Sequence, residues 1–342
     1  MDFSANMMTT GIGSVPHADA AEGASFILDA GLSAPFWPQL PKKGFLEQMI
    51  PQYSEGMPCV SVDLDEERTS YDAEAKQDEL MAFYEKFLAE DPDLFPLGED
   101  HAAGFHAFER ACGERKCTTA KGQVTGPITF GTGITDAKKT TLYSDPELLD
   151  AAVKLLSRKA QWQIRRLKAV GAERVIIFVD EPVLSAFGSS AFIGISDEDV
   201  CRLGGELFQA IADAGGISGI HVCGNSDWGV IIRSGVQIVN FDAYQYGTKM
   251  ALYADDIKTL FDRGGCVAWG IVPTTDAIDN ETLESLAPRL QECLDALCGK
   301  GFSETQVKER SMLTPSCGTG SLTVEQAGKV FRLLADLRTR FE

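Results

Sequence analysis

Arg174-Val175-Ile176-Ile177-Phe178-Val179-Asp180 is the stretch that decides how the fold is read. Five apolar residues follow one another without polar alternation, and an acid ends the run. A strand with one wet face alternates apolar and polar residues, whereas a strand buried on both faces does not. Both faces are covered when helices cross over between parallel strands, so this run points to an α/β protein.

Working outward, similar short apolar runs occupy 8–13, 59–64, 118–124, 217–223, 237–242, 266–272 and 312–315. Helical patterns separate most of them. In the clearest, Asp145 suits an N-cap, Pro146 the first turn and Gly171 the exit. Between them Leu149, Ala152, Leu156, Ala160, Ile164 and Leu167 recur at steps of three and four as a buried stripe. Thr323 with Gln326 three residues later reads as a capping box opening the last helix. Eight strands with intervening helices predict one (β/α)8 TIM barrel, with an open doubly wound sheet as the rival. The barrel is favoured because the chemically distinctive residues stand at the C-terminal ends of many strands, where barrel enzymes carry their sites. The expected organisation is a single catalytic domain over 1–342. It carries an N-terminal elaboration around 35–58 and an insertion around 65–115, the latter a helical cover near the barrel mouth.

Composition narrows the function. With 31 basic and 50 acidic residues the formal charge is −19, which repels phosphate backbones and disfavours nucleic acid as a partner. No apolar run reaches the 18 residues or so that suggest a membrane span. The first ten residues lack a basic segment followed by an apolar one, so a cytoplasmic location is expected. Nine irregularly spaced cysteines, an odd number, do not form the pattern of a disulfide framework. Most read as small buried residues.

Two cysteines differ. His221-Val222-Cys223 places an imidazole and a thiol at i and i+2, on one side of a strand that Gly224-Asn225 brings to an end. Cys317, in Pro315-Ser316-Cys317-Gly318, follows the last strand. Soft nitrogen and sulfur donors suit zinc, and three protein ligands leave the open position of a catalytic site. For a fourth ligand Asp242 is the best oxygen donor on the next strand, with Gln245 weaker; Asp242 equally suits a carboxylate that orients His221. Asp180-Glu181-Pro182 puts a carboxylate at the rim, Asp180 above all, fit to hold an ammonium group or act as a base. Gly11-Ile12-Gly13-Ser14-Val15-Pro16-His17 offers backbone amides and the Ser14 hydroxyl to a carboxylate. His17 is either a further polar site group or a helix-start residue. Gln123-Val124-Thr125-Gly126-Pro127 is either a ligand-contacting turn or a plain one.

Taken in order, Gly11-Ile12-Gly13-Ser14-Val15-Pro16, Thr125-Gly126-Pro127, Asp180-Glu181-Pro182, His221-Val222-Cys223 and Pro315-Ser316-Cys317-Gly318 resemble the C-terminal catalytic barrel of cobalamin-independent methionine synthase. The superfamily includes uroporphyrinogen decarboxylase and the methylcobalamin:coenzyme M methyltransferases, whose zinc motif is similar to His221-Val222-Cys223. The resemblance implies a zinc-dependent methyltransferase that converts homocysteine to methionine. It implies zinc on His221, Cys223 and Cys317, with Asp242 near the family's fourth, glutamate ligand. It further implies Ile12 and Ser14 on the substrate carboxylate, Asp180 on its amino group, and a substrate-binding glutamate in the region of Gln52 and Glu55. The two-barrel synthases carry an N-terminal barrel that helps to bind the folate donor. A chain matching the catalytic barrel alone resembles the short "core" type, for which methylcobalamin or another methylated corrinoid, free or on a corrinoid protein, is the expected donor. Methyl transfer to coenzyme M, porphyrin decarboxylation and a non-catalytic corrinoid-associated role are the alternatives. Coenzyme M would need cations for its sulfonate, and the site motifs contain none.

Overall fold

The computed structural model describes residues 4–187 and 194–342. Its strands are β1 (Met8–Thr9), β2 (Val60–Asp63), β3 (Arg68–Tyr71), β4 (Thr119–Thr125), β5 (Arg174–Asp180), β6 (Ile217–Val222), β7 (Ile238–Phe241), β8 (Cys266–Val272) and β9 (Ser311–Pro315). Seven of them form one curled sheet in the order β1-β9-β8-β7-β6-β5-β4, and every neighbouring pair is parallel.

The run that opened the sequence reading is covered on both faces. Ile176 and Phe178 point inward and cluster with Ile217, Ile238, Ala268 and Met312. Val175, Ile177 and Val179 belong to the larger core shared with the helices. Phe178 fills the interior so closely that a Cβ on Gly219, its partner across the β5–β6 ladder, would lie 2.4 Å from its ring. Truncating such a side chain to Ala costs about 3–5 kcal/mol.

The helix predicted from Asp145 is Pro146–Ala169, and the Asp145 carboxylate accepts from the Glu147 and Leu148 amides. All six residues of its apolar stripe are buried. The Thr323–Gln326 capping box is present in both directions.

The sheet is compatible with a TIM-like barrel but is not a closed eight-stranded one. The run expected as its second strand, 59–64, instead supplies β2, which pairs antiparallel with β3 in a separate hairpin. The alternating exposure of Val60-Ser61-Val62-Asp63 is that of a half-wet antiparallel strand. Segment 34–39, expected as part of an elaboration, runs between the sheet edges instead. Ala34 N donates to Thr9 O and Gln39 N to Gly13 O on the β1 side; Trp37 N donates to Lys121 O and Lys121 N to Pro35 O on the β4 side. Pro35 and Pro38 have no amide to give, so the segment forms bridges rather than a ladder.

The inserted helices pack against other helices. Lys76–Leu88 lies along Pro146–Ala169 through a Lys76–Asp145 ion pair and a Tyr84–Asp150 hydrogen bond, and Ala103–Arg115 packs on Ala20–Asp29. Among the described residues no helix is long and apolar enough to cross a membrane.

Candidate metal centre

In a parallel ladder, residues paired in register point to the same side. Thr125, Asp180, His221 and Asn240 are paired in turn across β4, β5, β6 and β7. This row lies at the C-terminal ends of the strands, one step beyond the inward Phe178. Cys223 follows His221 by two residues, and Cys317 arrives just past β9. The ligand atoms of His221, Cys223 and Cys317 all lie within 4.8 Å of one another. His221 Nε2 is 3.0 Å from Cys223 Sγ, and the two sulfurs are 3.2 Å apart.

The imidazole is held in one orientation. His221 Nδ1 lies 2.5 Å from Asn240 Oδ1. The Asn240 amide nitrogen donates to Ala268 O at 2.9 Å and to Thr314 Oγ1 at 2.7 Å, so its oxygen faces the ring as an acceptor. Nδ1 therefore carries a proton, and Nε2 is the ring atom that faces the thiols. Metal-binding histidines are oriented in this way by a partner on the other nitrogen. Asn240 stood unread within the apolar run Ile238-Val239-Asn240-Phe241, where a lone polar residue was the available signal.

The donor set fits zinc. Donors on a tetrahedral zinc lie about 3.5–3.8 Å apart given its bond lengths, so small side-chain rotations admit the ion. The Cys223 thiol and the His221 imidazole stabilise a thiolate on Cys317, whose pKa falls to about 4, while Cys223 is pushed far up. Burial alone would lower the His221 pKa, but the Cys317 sulfur, Asp180 and Asn240 raise it.

A cavity of about 320 Å³ adjoins the cluster. Its wall includes Ile12, Ser14, Gln39, Glu47, Met49 and Asp180. Asp180 is buried, its Oδ1 has no hydrogen-bond partner, and burial raises its pKa to about 6 against the pull of His221 and Lys121. Lys121, also unread in the sequence, is fully buried; its ammonium donates to Ile12 O at 2.5 Å and to Gln123 Oε1 at 3.1 Å. Burial lowers its pKa to about 7. Ser14 reaches the wall beside Gly318 and Gly320, and its hydroxyl accepts from the Gly320 amide at 3.2 Å.

Several expected residues lie elsewhere. The Asp242 carboxylate accepts from both the backbone and the side chain of Gln245, capping the turn Ala243–Tyr246, and it is outside the ligand cluster. Asn240 rather than Asp242 orients His221. Glu181 accepts from the Ile128 and Thr129 amides and the Thr129 hydroxyl. Gln52 stands behind the wall between Gln39, Glu47 and the His101 carbonyl, while Glu55 accepts from the Gly98 amide. The glutamate on the wall is Glu47, whose pKa burial raises to about 7. It sits on a three-residue turn, where no periodicity singles it out. His17 lies against Phe26, off the wall, and Thr125 donates to the Met49 carbonyl at 2.7 Å.

No protein-family model matches this chain, and no curated protein matches it. Among solved structures it is similar to a Listeria monocytogenes chain assigned as a vitamin-B12 independent methionine synthase. The alignment covers 94% of this chain and 86% of that one at 12% identity, with a TM-score of 0.54. The likeness is one of fold. A B12-independent methionine synthase from Shewanella sp. W3-18-1, in complex with selenomethionine, aligns over 68% of this chain and 66% of that one. The identity is 17% and the TM-score 0.48. This chain thus spans just under two thirds of that structure.

Proposed function

We propose that this chain is a zinc-dependent methyltransferase, a single catalytic domain that forms methionine from homocysteine. One observation carries the reading: the His221, Cys223 and Cys317 donors share a small cavity with two buried carboxylates, Asp180 and Glu47, and among the described residues no lysine or arginine lines it. Paired carboxylates suit the ammonium of an amino-acid thiol. A sulfonate thiol or a polycarboxylate porphyrin would need cations there. Ser14 and the backbone around Gly318 and Gly320 offer neutral donors for the amino-acid carboxylate.

Zinc bound to the three ligands would supply the Lewis acidity that keeps a coordinated thiol ionised near neutral pH. His221 presents Nε2 because Asn240 fixes its ring. Asp180 and Glu47 hold the substrate amine, which aims the sulfur at the cluster. The thiol proton passes to water or to a carboxylate on the wall. The thiolate then donates an electron pair to the methyl carbon; the S–C bond forms, and the donor keeps the pair of the broken bond. The donor expected is a methylated corrinoid.

The test is an anaerobic assay of homocysteine with methylcobalamin or methyltetrahydrofolate, following methionine, alongside metal analysis of the protein and its Cys223→Ala and Cys317→Ala variants. The expectation is one zinc per chain and methionine from methylcobalamin, both lost in the variants. Active variants without zinc refute the reading, as does wild-type protein that binds coenzyme M and not homocysteine.

A further inference from the structure

Cys112 and Cys117 stand outside the metal centre, at the turn that closes the helix Ala103–Arg115. Lys116 takes the left-handed conformation there, at a φ of 57°, where glycine is more usual. Cys117 N donates to Cys112 O at 3.1 Å and Lys116 N to Gly113 O at 3.3 Å. These two bonds make a Schellman motif, and the side chains that such a motif brings together are those of Cys112 and Cys117. Apolar residues ordinarily fill the two positions; here both carry thiols. Across that backbone bond, standard bond lengths hold the two Cα atoms within about 7 Å of each other. Disulfides span Cα separations of about 4.4–6.8 Å.

The two thiols are unequal. Cys112 is fully buried, whereas Cys117 is partly exposed, between exposed Lys116 and Thr118. An oxidant therefore meets Cys117 first. The Cys112 thiol beside it, helped by the Arg115 guanidinium, favours a thiolate on Cys117 against the effect of burial and brings its pKa down to about 7. The same contact pushes the Cys112 thiol far up. Elsewhere burial pushes up the thiols of Cys59, Cys201, Cys266, Cys293 and Cys298. The other sulfur held low, Cys317, belongs to the metal centre. Redox-reactive cysteines are reachable, readily ionised and set beside a resolving thiol.

We propose that Cys112 and Cys117 form a redox-active dithiol, which small disulfides oxidise to an intramolecular disulfide, with Cys117 attacking and Cys112 resolving. The Cys117 thiolate attacks one sulfur of the small disulfide; a mixed disulfide forms, and one half leaves as a thiolate. Cys117 has then lost its negative charge, the main influence that held the Cys112 proton. Cys112 gives that proton to water and attacks the Cys117 sulfur. The Cys112–Cys117 bond forms, and the second half leaves as a thiolate. The chain gives up two electrons, and the small disulfide becomes two thiolates. A thiol reductant reverses the exchange, as in a redox-sensing rather than a structural bond. None of this depends on the methyl-transfer reading.

The test is reaction of the full chain, with zinc present, with the aromatic disulfide DTNB at neutral pH. Release of the coloured thiolate gives the rate, and non-reducing trypsin digestion with mass spectrometry gives the linkage. Trypsin cuts after Arg110, Arg115, Lys116 and Lys121, so the expected product is peptide 111–115 joined to peptide 117–121. One reagent molecule should release both of its halves and leave no adduct there. Cys117 should react about fivefold or more faster than the partly exposed Cys298, since greater ionisation outweighs its lower basicity. Cys112→Ser should keep a stable adduct on Cys117, and Cys117→Ser should lose the fast phase. Mapping the linkage to these peptides keeps the result separate from any reaction of Cys223 and Cys317. A wild type that keeps its adduct on Cys117 overturns the proposal. So does a Cys117 no faster than Cys298, or a Cys112→Ser variant that sheds its adduct as wild type does.

Discussion

Replacing Asn240 with Ala removes one buried side chain and three contacts: the acceptor for His221 Nδ1 and the donors to Ala268 O and Thr314 Oγ1. Losing the partner that orients a metal-binding histidine typically weakens the metal about 10- to 100-fold, or roughly 1.4–2.7 kcal/mol. Fold stability should also fall, by about 2–4 kcal/mol, since each lost hydrogen bond contributes near 1 kcal/mol and buried groups are left unpaired. Thr314→Val separates the two effects. It takes away one partner of the Asn240 amide but leaves the His221 contact, so stability should drop by about 1 kcal/mol with little change in metal affinity. Competition against a chromophoric chelator measures zinc affinity, and urea unfolding of the metal-free protein measures stability. If Asn240→Ala binds zinc within about twofold of wild type, Asn240 does not hold His221 for metal.

Three further outcomes are expected. Glu47→Gln should weaken homocysteine binding about tenfold by calorimetry, the scale of one charged hydrogen bond, while Glu55→Gln, off the cavity wall, leaves it unchanged. Gly318→Ala places a Cβ 2.1 Å from Ser14 Oγ and should cost about 1–3 kcal/mol in chemical unfolding; Ser14→Ala should recover much of that, and additive losses would refute the contact. The buried Glu181 carboxyl has its pKa raised by burial from 4.5 to about 7, so the native state binds its proton more tightly than the unfolded chain does. This contribution is complete below pH 4.5 and is lost as pH rises to about 7, a change of about 3 kcal/mol that Glu181→Gln should remove from the stability–pH curve.

The sequence revealed those parts of the molecule in which local pattern and tertiary role coincide. The β5 run is apolar throughout because helices cover one face and the interior the other, so its composition reports its burial directly. His221 and Cys223 were legible as a pair because strand geometry alone puts i and i+2 together. Asn240 and Lys121 were not read, although each interrupts an otherwise apolar or small-residue strand interior. Their roles depend on which strand lies alongside, and register is a property of the assembled sheet. Glu47 stands on a turn whose position is set by distant contacts such as Thr125 to Met49. Segment 34–39 was misplaced because its prolines suppress the signature of a strand, while 59–64 carried that signature in a different sheet.

The proline-bearing segment between β1 and β4 has a mechanical consequence. Along β4 and β5 seven consecutive residue pairs are in register, whereas segment 34–39 is joined to its neighbours by scattered bridges. Its amides should exchange with solvent deuterium ahead of those in β5, β6 and β8, because local opening there breaks fewer bonds at once. The loop that carries Glu47 continues from this compliant side of the ring, while His221 and Asp180 stand on its stiff side. On the proposed function, His221 would thus stand on a rigid stave and one wall of the substrate pocket on a yielding one, so that the pocket would loosen to release product while the metal stays in place.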